Sequence, residues 1–345
     1  MAGYIVAGNT NSGNSGTLAG VSNNGSTDAW LIKLDGNGNT QWQKLYGGSS
    51  NDYFYSILQT ADAGYVIAGG SYSSNGTLTG LVNNGAMDGW MMKTDANGNT
   101  QWQNLSGGNI TDYFYTVQFA NDGGYIASGG SSSTSNTGTL TGFINNGGTD
   151  GWVVKTDATG NTQWQKLFGG SGNDIINVMA TASGTEYVFA GKSSSSNTGT
   201  ININNNGLDD GWIFKTDNSG IIAWQLLWGG ADNDGINSLL RPAAGELIAS
   251  GYSSSPLTGT LNANPGFGFS DGWLVKCNSA GTIQWQQLLG GGNDDSFVGV
   301  GQANDGSLII VGSSASPNNG KLTGIAGFGA SDLWLFKADG YGNCY

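Results

Sequence analysis

Short runs in which apolar and polar residues alternate recur along the whole chain, with turn residues between them. One stretch contains YFYSILQ (53–59), GYVIAG (64–69), GWMMKTD (89–95) and TQWQNL (100–105). Such alternation is typical of half-buried β-strands, and the Ala-Asn-Gly-Asn sequence between the last two runs is typical of a hairpin turn. The stretch therefore predicts four antiparallel strands, with a long loop between the second and the third.

This four-strand pattern returns about every 60 residues. Tryptophan marks the third run at intervals of 60, 62, 60, 61 and 61 residues, with Asp two positions before it and Lys three positions after it. A second tryptophan follows twelve residues later in every copy except the last. The first tryptophans are Trp30, Trp90, Trp152, Trp212, Trp273 and Trp334, and the second are Trp42, Trp102, Trp164, Trp224 and Trp285. Four-stranded units repeated in this way predict the blades of a β-propeller.

The phase of the repeat bears on the number of blades. The second and third strands occur six times, whereas the first and fourth occur five times. We therefore predict an all-β, single-domain propeller over residues 1–345 with six four-stranded blades, two of them incomplete; five blades remain the alternative. The repeats run over 1–62, 63–122, 123–183, 184–244, 245–305 and, in part, 306–345. The chain starts in mid-blade with MAGYIVAG, which lacks the charged and apolar regions of a signal peptide, so we expect it to be part of a longer protein.

The repeated side chains have structural explanations. We expect the tryptophans to fill the space between neighbouring sheets, because each buries a large apolar surface, and each repeated lysine to pair with a nearby aspartate. We expect two sets of aspartates to cap turns. They are Asp35, Asp95, Asp157 and Asp217 after the third strand, and Asp52, Asp112, Asp174, Asp234 and Asp295 before the first.

The charge balance excludes several classes of function. The chain has 11 Lys and Arg against 24 Asp and Glu, a net charge of −13, and it contains no His. A protein of this charge repels nucleic acids and anionic membranes, and no apolar run is long enough to span a bilayer. The absence of His excludes His-based catalytic triads and His-ligated metals. Cys277 and Cys344 fall in different blades, so we expect no disulfide between them.

The sequence predicts neither a cofactor nor a catalytic site. The acidic clusters lack the spacing of an EF-hand loop, although a structural calcium ion remains open. The single Arg241 cannot form the arginine cluster of a sialidase. An Asp pair could hydrolyse glycosides, but no copy of the repeat carries an extra acidic pair in an apolar setting. We therefore expect that the protein is not an enzyme.

The repeat also resembles a known group of proteins. The segments DGWVVKTDATGNTQWQKLFGGSGND (150–174) and NDGGYIASGGSSS (121–133) are similar to the repeats of large secreted β-propeller proteins of Bacteroidota-type bacteria. The similarity covers essentially the whole chain. Such proteins usually continue into a sorting domain for type IX secretion, so the resemblance implies a location outside the cell or on its surface.

Six long loops join the second strand of each copy to the third. They span 9–27, 70–87, 130–149, 192–208, 252–270 and 314–331, and loops of this length are commonly functional. Each loop carries one apolar residue near its middle, which we expect to anchor the loop on its blade. These candidate binding-face residues are Leu18, Leu78, Leu140, Ile201, Leu261 and Leu322.

Two functions fit this pattern. The first is a non-catalytic extracellular scaffold or adhesion module, in which the loops contact a protein surface, a polysaccharide surface or copies of the same chain. It is supported by copies so alike that none looks specialised. The alternative is a lectin-like propeller with several similar glycan sites, supported by the content of Trp, Asn and Asp.

Overall fold

A computed structural model describes residues 3–181, 186–242, 245–261, 266–317, 319–320 and 329–343. Regular structure in these ranges consists of β-strands and four single-turn 3₁₀ helices, and none of the helices is long or apolar enough to cross a membrane. The strands are β1 (Tyr4–Thr10), β2 (Asp28–Leu34), β3 (Thr40–Tyr46), β4 (Asp52–Gln59), β5 (Tyr65–Ser71), β6 (Asp88–Thr94), β7 (Thr100–Ser106), β8 (Asp112–Phe119), β9 (Tyr125–Ser131), β10 (Asp150–Thr156), β11 (Thr162–Phe168), β12 (Asp174–Thr181), β13 (Glu186–Ser193), β14 (Asp210–Asp217), β15 (Ile222–Trp228), β16 (Asp234–Leu240), β17 (Leu247–Ser253), β18 (Asp271–Cys277), β19 (Ile283–Leu289), β20 (Asp295–Gln302), β21 (Leu308–Ser314) and β22 (Asp332–Ala338). The 3₁₀ helices are Gly16–Leu18, Gly76–Leu78, Gly138–Leu140 and Gly259–Leu261.

Consecutive strands pair antiparallel in six sheets. The sheets are β1–β3, β4–β7, β8–β11, β12–β15, β16–β19 and β20–β22. Among the described residues the first sheet lacks the first strand of the repeat and the last sheet lacks the fourth, as the phase of the repeat predicts. The prediction of six blades is confirmed, and the fold is a six-bladed β-propeller.

Contacts along the chain divide it into two compact units, residues 1–168 and 169–345, with three sheets each. Within each unit the first strand of one sheet lies against the first strand of the next, so β4 contacts β8, and β16 contacts both β12 and β20. The apolar cores lie between neighbouring sheets of a unit. One of them joins Leu31, Phe54, Ile67, Leu78 and Trp90.

The structure places four of the first tryptophans, Trp90, Trp152, Trp273 and Trp334, in the cores between neighbouring sheets. Trp90, Trp152, Trp212 and Trp273 are fully buried, Trp334 is nearly so, and Trp30 is half-buried. The ring centre of Trp90 on β6 lies 4.7 Å from that of Phe54 on β4, the first strand of the same sheet. The second tryptophans are all half-buried, so they cover the edge of the core rather than its centre.

Each first strand contains a β-bulge, which the alternation of apolar and polar residues in its sequence does not predict. In β4 the pairing passes from Phe54–Gly69 directly to Ser56–Ala68, so Tyr55 is an extra residue. The same shift makes extra residues of Tyr115, Asn177, Asn237 and Val298. Bulges redirect a side chain out of the regular alternation and are frequent beside functional sites.

Candidate functional site

Five of the six repeated lysines form ion pairs inside the repeat, three of them with aspartate as predicted and two with glutamate. The Lys93 ammonium group lies 2.7 Å from the Asp62 carboxylate and 2.8 Å from the side-chain oxygen of Gln101. The hydrogen bond from Lys93, together with one from Thr60, holds the pKa of Asp62 well below its usual range. Equivalent pairs are Lys155–Asp122, Lys215–Glu186, Lys276–Glu246 and Lys337–Asp305. These lysines therefore serve the fold rather than a ligand.

The aspartates after the third strand cap their turns, which confirms their predicted role. The Asp95 carboxylate accepts hydrogen bonds from the backbone N–H groups of Asn97 and Asn99, both at 2.8 Å. Bonds to the charged form stabilise it, and they lower the pKa of Asp95.

A buried pair of carboxyl groups recurs in the blades. Where the second blade meets the third, Asp112 Oδ2 accepts hydrogen bonds from Gly108 N–H and the Ser133 hydroxyl, both at 2.7 Å. Across Gly107 from it lies Asp88, whose Oδ2 accepts from the N–H of Asn84 at 2.9 Å. Asp88 Oδ1 has no hydrogen-bond partner within the described ranges. Asp88 Oδ1 and Asp112 Oδ2 each lie 2.6 Å from where a Cβ on Gly107 would be, so only glycine fits between them.

Burial raises the pKa of both carboxyl groups in the pairs Asp88–Asp112 and Asp210–Asp234. Burial, which disfavours the charged form, raises the pKa of Asp88 to about 6, and the neighbouring Asp112 adds to the shift. In the second unit Asp210 faces Asp234, and its pKa is raised to about 6 for the same reasons. The described residues contain no group of three or more Asp, Glu, Cys or His side chains placed to hold a metal ion.

The long loops are held by a repeated clamp that the sequence analysis missed. Thr77 bonds twice to the preceding blade: Gly47 N–H donates to the Thr77 hydroxyl at 2.8 Å, and Thr77 N–H donates to the Gly47 carbonyl at 2.9 Å. Gln103 donates to the Thr77 carbonyl at 2.6 Å. The repeated Gly-Thr-Leu triplet and the Gln after the second tryptophan were the signals that could have revealed this clamp.

The predicted loop residues lie inside the protein. Leu78 is fully buried next to the clamp, and Leu18, Leu140, Ile201 and Leu261 are buried in the same way, so these side chains anchor the loops as expected. Their burial keeps them from touching a partner directly. Leu322 lies outside the described residues, as does Cys344, so the absence of a 277–344 disulfide stays a prediction.

Other apolar residues of the loops face solvent. Val82 and Ile144 occupy the same position in neighbouring blades of the first unit, and their side chains are 69% and 67% exposed. Leu208 and Phe269 share another position in the second unit, where they are 56% and 73% exposed. Anchored loops that repeat an exposed apolar residue present a surface suited to contact with another molecule.

The bulges of the first unit carry a cluster of tyrosines. Tyr55 and Tyr115, the two bulged residues, lie 5.3 Å apart between ring centres. Tyr53 stacks on Tyr55 at 6.0 Å, and Tyr113 lies 4.6 Å from Tyr115. Tyr55 and Tyr115 are 44% and 37% exposed, and Tyr72, on the loop after β5, is 40% exposed. We call Tyr53, Tyr55, Tyr72, Tyr113 and Tyr115 the tyrosine patch.

The second unit has a polar cavity of about 690 Å³ near the corresponding ends of its strands. Lys192, Asp209, Tyr252 and Asp294 contribute to its lining. Lys192 and Asp209 replace uncharged residues of the repeat and form an ion pair of 2.7 Å. The cavity therefore offers both signs of charge to a small polar molecule.

Comparisons with known proteins identify the fold alone. No protein-family model and no curated protein sequence matches the chain. Among solved structures, it is similar to the Kuenenia stuttgartiensis hydrazine synthase, with a TM-score of 0.50 and 9% identity over 83% of this chain and 72% of that one. It is also similar to the Neurospora crassa Pan2 WD40 domain, with a TM-score of 0.46 and 10% identity over 82% and 68% of the two chains. At these identities the likeness to hydrazine synthase supports a shared propeller architecture and carries no statement about activity.

Proposed function

We propose that this protein is a non-catalytic binding scaffold that acts outside the cell. In this proposal its loops contact the surface of a protein or another copy of the same chain, and the resemblance of its repeats to those of secreted propellers supports the location.

The exposed apolar residues on clamped loops carry the proposal. A loop fixed by a buried leucine and by threonine and glutamine hydrogen bonds loses little conformational freedom on binding, so each apolar contact contributes more of its energy to affinity. Val82 and Ile144 repeat in neighbouring blades, which lets weak similar contacts reinforce each other.

The ionisable residues of the repeat support a non-catalytic role. Five of the repeated lysines are paired, the turn aspartates accept backbone hydrogen bonds, and Asp112 Oδ2 accepts from Gly108 and Ser133. Groups engaged in this way hold blades together and are not free to transfer protons to a substrate.

The test replaces Val82, Ile144, Leu208 and Phe269 together by serine. Sedimentation velocity measures self-association, and biolayer interferometry measures binding to a panel of immobilised extracellular proteins. Because the four side chains are exposed, the melting temperature should change little, whereas self-association or binding to a protein should weaken at least tenfold. Binding that survives all four substitutions contradicts the proposal. So does a wild-type chain that stays monomeric and binds nothing on the panel.

A further inference from the structure

The bulged residues of the tyrosine patch differ from those at the same positions in the other repeats. The bulge holds Tyr55 and Tyr115 in the first unit, but Asn177, Asn237 and Val298 in the second. The asparagines serve the fold, since Asn177 donates to the Ile236 carbonyl of the next blade at 2.9 Å and Asn237 to that of Phe297 at 2.9 Å. A small polar residue is therefore sufficient at a bulge, and blade packing alone does not require tyrosine there.

The rings of the patch form a continuous aromatic surface across two blades. Tyr53 and Tyr55 are nearly parallel, with 6° between their planes, whereas the planes of Tyr55 and Tyr115 meet at 66°. The patch therefore offers ring faces in two orientations, partly open to solvent.

The hydroxyl groups of the patch add polar partners to its ring faces. Burial raises the pKa of Tyr55 to about 12, with further increases from Tyr115, Tyr53 and Tyr72. Burial also raises the pKa of Tyr113, whose hydroxyl is hydrogen-bonded to that of Tyr115. The hydroxyls of Tyr55 and Tyr113 are consequently neutral at physiological pH, where each can donate and accept.

The surroundings of the patch add hydroxyl groups rather than exposed charge. The Ser132 and Thr149 hydroxyls lie 2.8 Å apart, and Thr149 and the Tyr113 ring both lie against Gly130. The ion pair of Lys93 with Asp62 lies beyond the opposite end of β4. The nearby Asp112 is buried, and its Oδ2 accepts hydrogen bonds from Gly108 N–H and the Ser133 hydroxyl.

From this geometry we propose that the tyrosine patch binds a neutral glycan chain. The negative face of an aromatic ring attracts the C–H groups on the flat face of a sugar, and the hydroxyls of Tyr55, Tyr113 and Tyr115 match sugar hydroxyls as donors and acceptors. The net charge of −13 disfavours an acidic polysaccharide. The site is a single one on two blades, distinct from the exposed loop residues of the proposed function.

A proline-rich peptide is the competing occupant, because proline rings also stack on tyrosines. Its backbone presents only carbonyl acceptors at the prolines, so it would use the donors of the patch and leave the acceptors unused. A sugar uses both, and this favours the glycan.

The experiment is native affinity electrophoresis in gels that contain xyloglucan, galactomannan, mixed-linkage β-glucan or hydroxyethylcellulose. We expect at least one of these neutral polysaccharides to retard the wild-type chain, with little dependence on salt. The double variant Tyr55→Asn, Tyr115→Asn should require at least tenfold more polysaccharide for the same retardation. Asparagine is used because the bulges of β12 and β16 already accept it, and a thermal melt confirms folding. Tyr341→Ala, which removes an exposed tyrosine in a turn, is the matched control and should behave as wild type.

Three results would overturn the proposal: no retardation of the wild type by any of the four polysaccharides, equal retardation of the double variant, or binding of a polyproline peptide without binding of polysaccharide. If the double variant melts early, Tyr55→Phe replaces it. That variant keeps the ring and loses one hydroxyl, so weaker binding supports the site and unchanged binding in both variants refutes it. The serine variant of the loops should keep its affinity for polysaccharide, which separates a failure of this site from a failure of the loop contact.

Discussion

Replacing Asp88 by asparagine should stabilise the protein at neutral pH. Asp88 is buried, and its Oδ1 faces Asp112 across Gly107 without a hydrogen-bond partner in the described structure. Asparagine has nearly the same shape and carries no charge. Its amide nitrogen at the Oδ1 position places a hydrogen-bond donor on the side of Asp112, while its oxygen keeps the bond from Asn84. The substitution removes a buried charge beside a second carboxyl group.

The magnitude follows from the pKa of Asp88, which burial raises from 3.8 to about 6. The folded state binds the proton more tightly than the unfolded state, so this stability is complete below pH 3.8 and is lost as the pH rises through 6. A shift of about two units corresponds to about 3 kcal/mol. Asp88→Asn should therefore exceed wild type by up to about 3 kcal/mol at pH 7 and by about half as much at pH 5.

Urea unfolding followed by tryptophan fluorescence at these two pH values measures the difference. Asp95→Asn is the control with the opposite sign, because the charged form of Asp95 is the one that its turn stabilises. This control should be less stable than wild type at pH 7. An Asp88→Asn protein that is less stable than wild type at pH 7 would refute the reasoning, and stabilisation of wild type alone by added calcium would show that the two carboxylates share a cation.

Three further predictions concern single side chains. Leu78→Ala should lower the free energy of unfolding by about 2–5 kcal/mol because Leu78 is fully buried. Val82→Ala on the same loop should change it by less than about 0.5 kcal/mol. Equal effects of the two variants in urea unfolding would contradict the anchor role of Leu78. Lys155→Met should return the pKa of Asp122, which its ion pair lowers, to the ordinary range in an NMR titration, and an unchanged pKa would show that the pair is not the cause. Burial raises the pKa of the Cys277 thiol to about 12, so iodoacetamide at pH 8 should modify this thiol in urea but not in the folded protein. Rapid labelling of Cys277 in the native chain would disprove this.

The sequence predicts the strands closely because two kinds of signal coincide in each repeat. The alternation in YFYSILQ and the turn after Asp95 agree on the same four strands, and the observed ends lie within one or two residues of the predicted ones. The positions of the lysine partners and turn caps also follow, since they depend on residues close in sequence or at the same place in each repeat.

The features that decide the candidate site depend on contacts between distant segments. The bulge at Tyr55 arises from pairing with β5, and strand alternation alone treats Tyr53 and Tyr55 as residues on one face. The role of Thr77 depends on Gly47, thirty residues earlier in the preceding blade. The identity of the exposed apolar residue could not be inferred either, because Leu78 and Val82 look alike in a loop until their burial is known.

The clamp between blades also bears on how such a chain could evolve. Thr77 bonds to Gly47, and Thr139 bonds in the same way to Gly107, with the Thr139 hydroxyl accepting from Gly107 N–H at 2.9 Å. If unequal recombination within the gene removed the copy between them, Thr139 would meet Gly47, and the junction would be chemically the same. The clamp contacts at these two interfaces are thus interchangeable, and selection can remove such a copy of the repeat without a new clamp contact.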